Sequence, residues 1–187
     1  MVEQETKLPS VLIASMNYGA LLGISLVIIS LIFYVLGKGE FKVQDLVYYV
    51  VAIGAIVFGI RNFRDNKLGG VISYRKSLYL GTLIPLFGSI IFGFAYYIYI
   101  KFVDSSVIIT ILDQTEQSMI DQNYPQDQID TGMYYSRKFA PFIILVTTII
   151  QYTFAGFIFS LFISIFMKRK EDSLDGNLNS SKDNFNN

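Results

Sequence analysis

Neither histidine nor cysteine occurs in this chain of 187 residues. Without histidine the usual general base near neutral pH is missing. Without cysteine there is no thiol nucleophile and no disulfide, so the redox compartment leaves no trace. The two absences together remove the common zinc, haem and iron–sulfur ligand sets. There is also no P-loop and no GxGxxG turn. Charge is absent in a patterned way: no Asp, Glu, Lys or Arg falls within residues 11–36, 46–60, 77–100 or 139–167. Proton relays, ion sites and voltage sensors ordinarily place ionisable groups inside the membrane. A secondary pump and an intramembrane aspartyl or metal protease are therefore poor readings. The expectation is a protein that is not an enzyme, with no cofactor, no metal site and no nucleic-acid partner.

What fills the chain instead is apolar: 52% of residues are hydrophobic and 16% aromatic, with a mean hydropathy of +0.46. About 20 apolar residues at ~1.5 Å each cross the ~30 Å hydrocarbon core of a bilayer. The first, third and fourth runs reach that length easily. The second, at about 23 Å as a helix, spans only with Asp45 and Arg61 at the interface and with Arg61 and Arg64 snorkelling to headgroups. The first run is too long for the ~7–15-residue core of a signal peptide and reads as a retained helix. The fold class that follows is all-α, an integral membrane bundle of four transmembrane helices. Spans are expected at about 11–36, 45–63, 77–100 and 139–167, within a domain covering residues 1–170. The 101–138 segment should be a partly helical extracytoplasmic loop between helices three and four. Its Ile108, Ile111, Leu112, Thr115 and Met119 fall at helical spacing, and a helix there could continue the third span. A break is expected near Asn123-Tyr124-Pro125. The polar 171–187 tail should be disordered.

The formal net charge is zero, but the charges are unevenly placed. With four spans, one side carries Lys7, Arg61, Arg64, Lys67, Arg75, Lys76, Lys168, Arg169, Lys170 and Lys182. The other carries Lys38, Lys42, Lys101, Arg137 and Lys138. The positive-inside bias puts both termini in the cytoplasm. Tyr34, Tyr48, Tyr49, Tyr96, Tyr97, Tyr99, Tyr134 and Tyr135 gather at the opposite ends, as an interfacial belt would.

Small residues recur four apart in the spans: Ser15, Gly19 and Gly23; Ala55 and Gly59; Ser89 and Gly93; Gly156, Ser160 and Ser164. Such spacing lets helix backbones approach closely in lipid, either within one bundle or along a homo-oligomer seam on the first helix. Asn17, Thr147, Thr148, Gln151 and Thr153 suit interhelical hydrogen bonds, or a polar permeation path. Pro85 should kink the third helix near Gly81, and Pro141 reads as a first-turn residue of the fourth.

The densest polar stretch is GIRNFRDNKLGGVISYRKSL, residues 59–78. Arg61, Arg64 and Lys67 should surround Asp65, Gly69-Gly70 should supply a turn at positive φ, and Ser73 should cap the third helix. The bland reading is a basic hairpin anchored on anionic headgroups. The sharper one is a phosphate or acidic-partner site built from Arg61, Arg64, Asp65, Lys67, Gly69, Gly70 and Lys76.

This stretch also resembles the bacterial membrane family catalogued as domain of unknown function 4199. In that family a span ends in Gly-hydrophobic-Lys/Arg-x-Tyr/Phe-Arg-Asp, followed by Leu-Gly-Gly, Ile-Ser/Thr-Phe/Tyr and a Lys. Gly59, Phe63, Arg64, Asp65, Leu68, Gly69, Gly70, Ile72, Ser73, Tyr74 and Lys76 match, while Arg75 stands where glycine is usual. The closing GFIFSLFISIFMKRK, residues 156–170, is similar to the family's last span. The resemblance implies a four-span protein of the bacterial inner membrane and implies no activity. Two expectations follow: an accessory, sensor or scaffold protein working through lipid or protein contacts, a second copy included, or a small oligomeric permeation or lipid-handling unit.

Overall fold

The computed structural model describes residues 8–36 and 41–168. Residues 1–7, 37–40 and 169–187 lie outside the described residues, the tail expected to be disordered at 171–187 among them. Five helices follow in order: α1 (Leu8–Val35), α2 (Phe41–Lys67), α3 (Tyr74–Phe102), α4 (Ser106–Asp121) and α5 (Gln126–Met167), with no strand among the described residues. All but α4 are long and apolar enough to cross a membrane.

Helix α3 is the central post. Buried residues make up 44% of its most apolar window, against 22–28% in the other three spans, because it packs on both α1 and α5. Small residues permit this. A methyl group on Gly19 of α1 would stand 2.5 Å from Phe87 Cβ and 2.9 Å from the Ile84 carbonyl oxygen. One on Gly23 would stand 2.8 Å from the Gly88 carbonyl oxygen. On the other side of α3, Gly156 of α5 receives the Pro85 ring, and Ser160 lies buried against Gly81. Gly93 faces Leu145 and Ile149, and Gly59 faces Tyr18 and Ile84. The small-residue stripe on α1 thus faces α3 of the same chain. Helix α3 continues through Pro85, whose ring becomes a packing surface.

Two features depart from the sequence reading. Pro141 is interior to α5, which starts at Gln126 with Pro125 as its N-cap. The helix begins early because Ile129, Met133 and Ala140 make one buried face at helical spacing, and α4 packs against this extension. At 42 residues, α5 is roughly 63 Å long, about twice a bilayer's hydrocarbon thickness.

Helix α4 does not continue α3. Asp104 Oδ1 accepts from the Ser106 backbone N–H at 2.9 Å, and its Oδ2 accepts from Tyr99 Oη at 3.2 Å. That local alternative to a helical bond turns the chain. Hydrogen bonds from the Ser106 hydroxyl and N–H, aided by Tyr99, hold the Asp104 carboxyl below the usual carboxylate range. The return to α5 turns at Asn123, whose φ is 57°.

Two substitutions test the packing against one that touches nothing. Gly156→Ala drives a methyl into the rigid Pro85 ring and should destabilise the fold by ~1–3 kcal/mol. At Gly54 no described residue lies within 4 Å of an added methyl, so Gly54→Ala should stabilise by ~0.5–1 kcal/mol through helix propensity. Thermal denaturation in detergent micelles should show shifts of opposite sign.

Candidate functional site

The polar stretch that stands out in the sequence closes the α2–α3 hairpin. Helix α2 runs further than its charge-free segment, so Arg61, Arg64, Asp65 and Lys67 occupy its last turns rather than a loop. Phe63, 3% exposed, holds these turns against the bundle beside Ile60 and Ile72. The helix stops because Gly69 (φ 63°) and Gly70 (φ 90°) take left-handed backbone conformations. That folds the Gly70 N–H back onto the Arg64 carbonyl at 3.0 Å. No described residue lies within 4 Å of a Cβ at either glycine, so backbone conformation sets the requirement there. Ser73 then opens α3, its Oγ accepting from the Lys76 N–H at 3.4 Å.

The cations are not equivalent. Arg64 donates from Nε and Nη2 to the two Asp65 carboxylate oxygens at 2.7 and 3.3 Å. Arg61 Nε stands 3.8 Å from Asp65 Oδ2, one turn away. Both guanidinium groups therefore attend one carboxylate. Lys76 is exposed at the start of α3. Lys67 has no ion pair among the described residues and turns toward α1.

There Lys67 borders a cleft of about 450 Å³ between the first half of α1 and the last turns of α2. Asn17, Tyr18, Asn62 and Asn66 supply its polar groups, and Ile13, Ala14 and Phe63 its apolar walls. Asn62 Nδ2 donates to Tyr18 Oη at 2.7 Å, and Asn66 Nδ2 donates to Asn62 Oδ1. The hairpin turn and the cleft are thus one end of the molecule. Asn17 stands out in the sequence only as a polar group within a span. Tyr18, Asn62 and Asn66 do not stand out at all, although the Asn62/Asn66 spacing of four was the available signal.

A second polar cluster joins the first half of α2 to α3 and α5. Tyr48, expected in an interfacial belt, is 3% exposed, its ring 5.3 Å from Phe92 and 6.0 Å from Tyr152. Burial is tolerated because its hydroxyl accepts from the Gln44 amide. Asp45, expected at the interface, is half-buried. Among the described residues, no three His, Cys, Asp or Glu side chains are grouped to hold a metal ion.

Gly70→Ala tests the turn that shapes this end. Forcing a side chain onto a left-handed residue should cost ~1–2 kcal/mol of stability, read as a lower melting temperature in detergent.

No curated protein and no solved structure matches this chain. A family model described as "protein of unknown function (DUF4199)" does match, over residues 17–169. That span runs from Asn17 in the cleft to just past the end of α5, and the chain belongs to this family.

Proposed function

We propose that this is a non-enzymatic multi-pass protein of the bacterial inner membrane, an accessory, sensor or scaffold subunit that acts through contacts with protein and lipid. The uneven basic residues support both termini in the cytoplasm, with the α2–α3 hairpin on the same side and α4 outside.

One observation carries the reading: Gln151 lies exposed on the outside of α5. Within the charge-free 139–167 run it sits about 18 Å from one end and about 24 Å from the other at ~1.5 Å per residue. A glutamine side chain cannot snorkel that far. Thr147, one turn earlier, is exposed on the same face, and no hydrogen bond ties Gln151 to another described residue. An amide left unpaired in hydrocarbon costs ~2–7 kcal/mol. A second copy of the chain relieves that cost, because a glutamine amide both donates and accepts across a two-fold axis. The same geometry weakens the permeation reading. Thr147 and Gln151 face outward, Thr153 is bonded to Ser89 at 3.0 Å, and Asn17 lies in the hairpin-end cleft, so these groups line no common path.

Cross-linking or photobleaching counts in membranes test this. Gln151→Leu should weaken self-association by roughly 5–30-fold, the equivalent of ~1–2 kcal/mol for an interhelical hydrogen bond, and leave the fold intact. A wild-type chain that is monomeric at every density in the membrane would refute it.

A further inference from the structure

We propose that the α1–α2 cleft binds the phosphate of an anionic phospholipid headgroup, with Lys67 as its counter-cation and the Asn17 and Asn66 amides as hydrogen-bond donors. The charges suit that ligand. Arg61 and Arg64 are drawn to Asp65, whereas Lys67 has no ion pair among the described residues. Among the described residues no carboxylate lines the cleft, so none of them sets a like charge against an entering anion. One ammonium faces one phosphodiester charge, and the cationic headgroup of a zwitterionic lipid would meet repulsion there.

The donors are set out in advance. Asn62 is committed to Tyr18, and Asn66 spends one N–H on Asn62 and keeps the other. The Asn17 side chain is exposed at the cleft. Position selects a lipid over a soluble anion. The cleft lies where α2 leaves its charge-free run, and Leu12, Ile13 and Met16 of α1 are exposed alongside it for acyl chains to cover. Its volume, about 450 Å³, falls within the ~300–1,000 Å³ of small-molecule sites. A headgroup fits inside, with the tails outside against the helices. The assignment rests on the proposed membrane contacts but not on self-association.

The test uses the full chain, delipidated in detergent and titrated with phosphatidylglycerol or phosphatidylcholine, with adducts counted by native mass spectrometry. Phosphatidylglycerol should bind at least about tenfold more tightly than phosphatidylcholine. Lys67→Gln should weaken it about tenfold, with Asn66→Leu weakening it further, at unchanged melting temperature. Arg75→Gln, a charge loss on the same hairpin outside the cleft, should leave binding unchanged, and so should Gln151→Leu. Equal binding of the two lipids, or equal losses from Arg75→Gln and Lys67→Gln, would overturn the site. Displacement by millimolar inorganic phosphate would assign it to a free anion and overturn the lipid.

Discussion

Close backbone contact along α3 is the constraint on which the structure depends. In lipid, apolar helix surfaces gain nothing by leaving one apolar solvent for another, so dispersion between closely packed atoms must hold the bundle. Dispersion falls off within a fraction of an ångström, and glycine opposite a carbonyl or a ring secures it. Gly19 and Gly23 of α1 and Gly156 of α5 each stand where a methyl would collide with α3. Pro85, a helix disruptor by its chemistry, becomes on α3 the knob that Gly156 accommodates.

That arrangement leaves α2 less closely held. Helix α3 makes its main contacts with α1 and α5, and α2 joins them through side chains. At one end its contacts are aromatic, Tyr48 and Tyr49 stacking edge-on with Phe92, Tyr152 and Phe159. At the other end they thin out into the asparagine cleft. A helix pinned at one end by rings and parted from its neighbour at the other creates a polar recess. The hairpin glycines matter here for a separate reason. They end α2 sharply after Lys67, which leaves that ammonium on the last turn facing α1.

Hydrogen bonding follows the same division. Buried hydroxyls such as Ser15 and Ser160 return to the carbonyl one turn back, at 2.9 and 2.7 Å, and so satisfy themselves within their own helix. Ser89 and Thr153 join α3 to α5. The Ser77 and Ser164 hydroxyls are buried without a partner among the described residues, whereas Gln151 on the outside of α5 and Asn17 at the cleft are exposed.

The four spans, the all-α class, the positive-φ turn at Gly69-Gly70 and the Ser73 cap were all legible in the sequence. Each follows from a property carried by neighbouring residues: the length of a charge-free run, the freedom of glycine, the reach of a serine hydroxyl. The family pattern in residues 59–78 was legible for the same reason. Tertiary structure alone decided which tyrosines are buried, where α5 begins, and that Tyr18 meets Asn62 across 44 positions of chain. Pro141 reads as a helix start until α4 folds back and gives the preceding turns a face to bury. Local rules follow the chain, whereas a cleft between α1 and α2 exists only once α3 has set how far apart those two helices stand.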